Sequence, residues 1–427
     1  MTAIPIWFVS PQTFAAVRDE IGGLAAGFAE ASGFEPKPGR LQLLPGPDGK
    51  LATGLPPGAY RFARPPARAE LAALAFLLAA YRFDRYKAAS RPAPTLEAPE
   101  GVDFVKAERI AAAIAHGRDL VNLPANALTP SALEREAVEL AERFGAEVSV
   151  VMGDDLAAGF PLIAAVGAAA ADPPRLVDFV WGRAEALKVT LVGKGVVFDT
   201  GGLDIKPANG MELMKKDMGG AATALTLARL VMEERLDVRL RVLLPIVENA
   251  ISGPAMRPGD IYRSRKGLSV EIGNTDAEGR LILADALALA AEEAPELLID
   301  FATLTGAARV ALGPDLPPFY TDDEALAAEI GRFALETCDP LWRLPLWRPY
   351  DSMLDSPAAD LNNAPAGGFA GSITAALFLR RFVEGAKSWA HFDVYAWNPK
   401  ARASGPQGGE IQSARALFAL LAARCAR

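Results

Sequence analysis

Histidine and cysteine are almost missing from this chain, and their scarcity removes whole chemistries. There are two histidines, His116 and His391, in 427 residues. No HExxH zinc helix and no His-rich metal centre can be built from them. A Ser-His-Asp triad would have to use one of the two. The two cysteines, Cys338 and Cys425, give no disulfide framework and no CxxC zinc motif, which fits a reducing cytoplasm. Long apolar runs are also lacking. Leu71 to Tyr81 falls short of the roughly 20 residues that a membrane span needs and reads as a buried helix. The start, Met1 to Pro5, has no basic stretch ahead of an apolar core, so no signal peptide is expected. Positive charge is in deficit: 44 Lys and Arg against 52 Asp and Glu give a net charge of −8. That balance argues against a general affinity for nucleic acid. Neither GxGxxG nor GxxxxGK[ST] occurs, so a phosphate cradle has only weak support.

What is present suits a folded globule. Hydrophobic residues make up 51% and charged residues 22%, and the length exceeds the usual single domain, so two domains are expected. Residues 1–88 read as a small α/β domain, with apolar runs at Ile4 to Val9 and Leu41 to Leu44 and helical runs at Phe14 to Ala31 and Ala67 to Tyr86. Residues 89–101 are rich in proline and read as a linker or an extended crossing segment. From 102 to 427 strands alternate with helices. Helices are expected at Val105 to Leu120 and from Ser131, with Ser131 as N-cap. Strands are expected at Glu147 to Val151, Leu162 to Val166, Leu176 to Trp181, Val189 to Val192, Arg239 to Val247, Leu297 to Thr303 and Trp389 to Val394. Further helices are expected at Gly219 to Glu234, Glu278 to Glu293, Glu324 to Glu336 and Ser372 to Phe382. This alternation predicts an α/β class, with a mostly parallel central sheet flanked by helices.

Two charged clusters interrupt the apolar pattern. The first is Gly193-Lys194-Gly195-Val196-Val197-Phe198-Asp199, continuing through Lys206-Pro207 to Met214-Lys215-Lys216-Asp217-Met218-Gly219-Gly220. The second is Asn274-Thr275-Asp276-Ala277-Glu278-Gly279-Arg280-Leu281. Taken alone, Asp276 and Glu278 could simply be the acidic start of a helix, where the dipole and free N–H groups favour anions. Lys194, Asp199, Lys206 and Asp217 are expected on loops beyond strand ends, where open α/β sheets bind ligands. Asp199, Asp217, Asp276 and Glu278 crowded together would repel, and cations would relieve them. Two divalent ions about 3.5–4 Å apart fit that count. An all-oxygen set points by default to Mg²⁺ or Mn²⁺. A lysine beside such a pair can stay charged and stabilise an oxyanion, or lose its proton and become a ligand. The residues themselves do not say whether Lys194 or Lys206 takes each part.

Together these stretches resemble the leucine aminopeptidase (cytosol aminopeptidase) family of co-catalytic dimetal peptidases. The octapeptide Asn274 to Leu281 carries the resemblance, with Val192 to Pro207 and Met214 to Ala221. Asn122 to Pro130, Asp300 to Ala307, Gly371 to Phe382 and Tyr81 to Lys87 support it. The resemblance covers roughly residues 80 to 400. It implies an aminopeptidase that releases N-terminal residues from peptides with a free N-terminus, in a cytoplasmic homohexamer. It implies Zn²⁺ or Mn²⁺ as the metals. Asp199, Asp276 and Glu278 are then similar to the ligands of one ion, and Lys194, Asp199, Asp217 and Glu278 to those of the other. Lys206 is similar to the lysine that polarises the scissile carbonyl. Arg280 is similar to the arginine that holds a bicarbonate ion acting as general base. Met214, Thr303 and Gly306 are similar to residues lining the pocket for the first side chain. His391 reads as structural.

The chain departs from the family at His391-Phe392-Asp393-Val394-Tyr395, where Tyr395 replaces a small pocket residue. It either alters the first-residue preference or turns outward. Two other readings use the same residues: a catalytically silent family member acting as scaffold or regulator, and a Mg²⁺-dependent phosphoester hydrolase. The full set of ligand and catalytic residues argues against the first.

Overall fold

The computed structural model describes residues 4–6, 58–64, 66–87, 92–365, 367–402 and 405–426. The runs expected at Phe14 to Ala31 and Leu41 to Leu44 lie outside these residues.

By its contacts the chain divides into two units, Met1–Ala115 with Lys400–Gln407, and His116–Pro399 with Gly408–Arg427. The first contains a parallel three-stranded sheet of β1 (Ile4–Ile6), β2 (Ala59–Phe62) and β3 (Thr95–Leu96), in that order. Thus the Pro-rich stretch 89–101 supplies a strand. Helix α1 (Ala69–Ala80) buries Ala73, Leu74, Phe76 and Leu78, and Phe76 meets Tyr60 of β2 with ring centroids 5.5 Å apart. Helix α2 (Phe104–Asn122) follows.

The second unit is built on a nine-stranded mixed sheet. Helix α3 (Pro130–Arg143) leads into β4 (Glu147–Met152). Helices α4 (Gly153–Gly159) and α5 (Pro161–Gly167) precede β5 (Arg175–Trp181), β6 (Leu187–Gly193) and β7 (Gly195–Asp199). Helix α6 (Gly219–Glu233) leads to β8 (Val238–Asn249). A small sheet of β9 (Ile261–Arg263) and β10 (Ser269–Glu271) comes before α7 (Glu278–Glu292) and β11 (Leu297–Ala302). The remainder is α8 (Gly306–Leu312), β12 (Pro318–Tyr320), α9 (Glu324–Glu336), β13 (Trp342–Arg343), β14 (Leu361–Asn362, the third strand beside β10), α10 (Gly371–Arg380), β15 (Trp389–Asp393) and α11 (Ala414–Cys425).

Strand order in the large sheet is β13-β12-β15-β11-β6-β8-β5-β4, with β7 beside β8. The four central strands β15, β11, β6 and β8 run parallel. The antiparallel pairs β12–β15, β8–β5 and β5–β4 lie toward the edges. The parallel strands are buried on both faces and so read as continuous apolar runs: all six residues of β11 are buried. One face packs under α7, α5 and α10 in a shared core with Val192, Leu243 and Leu298. Helix α6 covers β6 and β11 on the other, backed by α11. Thirteen of its residues are buried, Gly219 to Ala228 without a break. A Cβ at Gly220 would strike the Phe301 carbonyl of β11, so glycine is required for that approach.

Two local expectations need correction. Leu162 to Val166 is not a strand but most of α5. Five apolar residues in a row do not distinguish a buried strand from a buried helix. Ser131 is not the N-cap of α3; Thr129 caps it, accepting from the Ala132 N–H at 3.4 Å, with Pro130 at the first helical position.

Candidate metal centre

The site lies at the carboxyl ends of the parallel strands. Strands β6 and β7 form one line along β8, Val192 pairing with Leu243 and Gly195 with Ile246. Lys194 sits at the break between them. Its N–H donates to the Phe301 carbonyl at 2.9 Å, and its own carbonyl accepts from Ala221 N–H at the start of α6. The backbone is thereby fixed on both sides, and the Lys194 side chain can turn only into the site. Asp199 is the last residue of β7 rather than a loop residue. Asp217 caps a short 3-10 turn ahead of α6. Glu278 is the first residue of α7, and Asp276 lies two residues before it. The side chain of the N-cap residue, Ala277, makes no capping bond. The acidic pair therefore does not serve as a side-chain cap.

The carboxylates and lysines interleave. Lys194 Nζ lies 2.8 Å from Asp217 Oδ2 and 2.7 Å from Glu278 Oε1. Lys206 Nζ lies 2.8 Å from Asp199 Oδ2 and also contacts Asp276 Oδ1. Ligand oxygens of Asp199, Asp276 and Glu278 fall within 4.8 Å of one another. Asp217 joins them through Lys194. Glycine at 279 makes room for this: a Cβ there would come within 2.7 Å of Lys194 Cε and Nζ.

Burial and mutual repulsion shift the acids. Burial and the neighbouring Asp199 push Asp276 up to about 6, against the pull of Lys206. The same two causes hold Glu278 well above its ordinary value. Burial alone would lower Lys194, but Asp217, Glu278 and Asp199 outweigh it and hold the ammonium above its usual range. Lys206 is raised in the same way, by Asp199 and Glu278 against burial. The site thus concentrates negative charge, which the two ammonium groups partly neutralise. Asp217 Oδ2, Asp276 Oδ1 and Glu278 Oε1 are buried and in no well-directed hydrogen bond, despite the nearby lysines. Buried oxygens in that state fit coordination by divalent cations.

Residues outside the charged cluster hold it in place. Asn249 donates to Asp199 Oδ1 at 2.8 Å and to the Thr275 carbonyl at 3.2 Å. Thr275 Oγ1 donates to the Gly201 carbonyl at 2.6 Å and accepts from Asp204 N–H at 2.8 Å, while Asp204 Oδ2 accepts from Thr275 N–H at 2.8 Å. This exchange ties the loop of Lys206 to the loop of Asp276. Gly201 and Gly202 adopt φ of 89° and 66°, which the tight turn requires. Thr303 Oγ1 donates to Asp217 Oδ1 at 2.7 Å. Asn363 Oδ1 accepts from Gly273 N–H at 2.8 Å, and its carbonyl accepts from Arg280 Nη1 at 2.7 Å. Arg280 is buried and its Nε has no partner among the described residues. Burial lowers its guanidinium to about 10, so it stays charged near neutral pH. An unpartnered buried guanidinium N–H fits an anion. Of these supports, Thr275, Asp204 and Thr303 sit inside stretches that singled themselves out in the sequence; Asn249 and Asn363 carried no signal.

Met214, Thr303, Gly306 and Tyr395 line the same cavity, of about 640 Å³, as the carboxylates and lysines. Tyr395 is half-buried on its wall, with Lys216 Nζ 4.8 Å and Arg309 Cζ 5.4 Å from its ring centroid. Lys216 is buried, and burial brings it down to about 7. Asp393 holds the Thr303-to-Gly306 turn. It accepts from Leu304 N–H, Thr305 Oγ1 and Arg309 Nη1 at 3.0, 2.7 and 2.9 Å. His391 lies elsewhere, inside the sheet, 2.6 Å from Asp300. His116 pairs with Glu136. No disulfide forms among the described residues, and no helix among them is long and apolar enough to cross a membrane.

An α/β sheet with an acidic, cation-seeking pocket at its strand ends fits the class of metal-dependent enzymes. The catalytic-domain profile of the cytosol aminopeptidase family matches residues 115–418. A probable cytosol aminopeptidase of Geobacter sp. (strain M21) is 41% identical over 375 residues, covering 83% of this chain and 76% of the relative. Among solved structures, a cytosol aminopeptidase from Coxiella burnetii superposes with a TM-score of 0.90 at 44% identity, over 98% of this chain and 97% of the other. The bottromycin maturation enzyme BotP, solved in complex with Mn, gives 0.84 at 34%, over 95% and 97%. The chain belongs to the cytosol aminopeptidase family, and is a metal-dependent aminopeptidase, a hydrolase of peptides.

Proposed function

We propose that this aminopeptidase uses two divalent cations, Zn²⁺ or Mn²⁺. Asp199, Asp276 and Glu278 would hold one, and Lys194, Asp199, Asp217 and Glu278 the other. The observation that carries this is the interleaved cluster, whose buried oxygens lack directed hydrogen bonds. The Mn in BotP supports the choice of ion. When bound, the cations supply an activated water near neutral pH and a seat for the free α-amine of the peptide. That seat accounts for removal of N-terminal residues only.

The chain's own residues do the rest. Lys194, whose charge is balanced by Asp217 and Glu278, would serve as a neutral amine ligand where a cation takes over that balancing role. Lys206, on the more exposed side of the cluster, keeps its proton and donates to the carbonyl oxygen where negative charge develops. Arg280 would hold a bicarbonate ion through its Nε–H, where that anion would supply a general base. Met214, Thr303, Gly306 and Tyr395 receive the first side chain.

The domains are a small N-terminal one (1–88) and a catalytic one (102–427), joined by the linker 89–101, which contributes strand β3 on its way. The working form is a cytoplasmic homohexamer joined through catalytic-domain contacts. The deciding experiment is a panel of aminoacyl-anilides with Mn²⁺ or Zn²⁺, with and without chelator. Turnover that needs metal is expected. A folded, metal-loaded protein that cleaves none of them would sink the proposal.

A further inference from the structure

Three of the cations around the cavity are paired with carboxylates; Arg280, assigned above to an anion, and Lys216 are not. Lys194 and Lys206 each touch two carboxylates. Arg309 pairs with Asp393 at 2.9 Å. Lys216 is 4% exposed, and its ammonium makes no hydrogen bond and no ion pair with any described residue. The nearest acids are already engaged: Asp217 with Lys194 and Thr303, Asp393 with Arg309 and Thr305. What Lys216 does have is the Tyr395 ring, 4.8 Å from Nζ to centroid, which Arg309 shares. A ring quadrupole compensates a buried ammonium only in part. The group lines the cavity that also contains Asp276 and Glu278. It lies beside the Thr303-to-Gly306 turn and Tyr395, the walls assigned above to the first side chain.

An apolar first residue would strip water from this ammonium and give it nothing in return. A carboxylate would complete it. We propose that Lys216, backed by Tyr395 and Arg309, makes the first-residue pocket of this enzyme selective for acidic side chains, aspartyl or glutamyl. The inference rests on the aminopeptidase reading of the site. It adds a substrate class that an apolar leucine pocket would reject.

Glutamyl and glutaminyl anilides test it, since the two side chains match in size and differ in charge. In the metal-loaded wild type, kcat/KM for the glutamyl substrate should exceed that for the glutaminyl one by about tenfold or more. In Lys216→Met the ratio should fall by at least about tenfold. Reading the ratio within each protein cancels any general loss of activity. Lys216→Gln serves if Lys216→Met does not fold, and the wild-type ratio stands alone if neither does. A wild type that cleaves leucyl anilide but shows a glutamyl-to-glutaminyl ratio of one or less overturns the inference and leaves the aminopeptidase reading intact. So does a folded variant that keeps the wild-type ratio. A flat ratio combined with preference for Leu-Gly over Leu-Gly amide, lost in the variant, would assign Lys216 to a peptide C-terminus and also overturns it. Cleavage of no anilide at all would sink both readings.

Discussion

Asp285 Oδ2 accepts the backbone N–H of Leu162 at 2.8 Å, and with it that of Ile163 at 3.3 Å. Helix α5 has no side-chain cap of its own. Its cap comes from α7, 123 positions along the chain. Asp285 Oδ1 also accepts from Arg265 N–H at 2.7 Å. One buried carboxylate on the helix that begins with Glu278 therefore anchors two other segments.

Replacing it should be costly. Asp285→Ala leaves three backbone donors in or near the core without a partner, at about 1–3 kcal/mol for each that water does not reach. A total loss of about 3 kcal/mol or more is expected in urea denaturation. A loss under about 1 kcal/mol would mean that α5 is held by packing alone.

The same residue gives a pH signature. Burial pushes Asp285 up to about 7, against the three N–H bonds and Arg265. Its value in the unfolded chain is about 3.9. Between the two, the folded state keeps a proton that the unfolded state has released. The contribution is therefore full below about pH 4 and is lost as pH rises toward 7, by at most about 1.4 kcal/mol per unit. Asp285→Asn has no such slope. The stability difference between wild type and Asp285→Asn should shrink as pH rises from 4.5 to 7.5; a constant difference would place the carboxylate in the ionised form throughout.

Lys206→Ala should lower kcat by about 10²–10³-fold, the usual cost of removing an oxyanion donor. Metal content, read by elemental analysis, should stay near that of the wild type. Equal loss of metal and turnover would exchange the roles of Lys194 and Lys206.

Arg280→Met should reduce kcat by about 10²-fold, in the range for general-base contributions. Wild-type activity should rise with added bicarbonate, and the variant's should not. Equal stimulation of both proteins would remove Arg280 from anion binding.

Gly279→Ala places a methyl group 2.7 Å from Lys194 Cε. Lys194 is buried against Asp217 and Glu278 and cannot swing away. Metal affinity should drop by about tenfold or more, as for other disturbances next to a ligand. An unchanged dissociation constant would show that Lys194 is not part of the coordination.

The sequence alone went far toward the site because its chemistry is local. Asp276, Glu278, Gly279 and Arg280 fall within five residues, and no packing argument is needed to see an acidic pair beside a guanidinium. Strands such as Arg239 to Val247 and helices such as Glu324 to Glu336 were equally legible, since burial on both faces leaves a continuous apolar run and burial on one stripe a periodic one. Leu162 to Val166 was not. Its five apolar residues suit either state, and the group that decides for a helix, Asp285, comes from another element.

The sequence by itself determined which residue types are available: few histidines and cysteines, and a surplus of carboxylates with lysines between them. That composition limits the metal chemistry to oxygen and amine ligands. Only the tertiary structure decided how the charges pair. It set Lys194 between Asp217 and Glu278 and Lys206 between Asp199 and Asp276, and it left Lys216 buried beside Tyr395 without a carboxylate. The reason is physical: pairing energy depends on distance and on exclusion of water. Both are set by the crossing of β6, β7, α6 and α7 at one end of the sheet, and neither is carried by residue spacing.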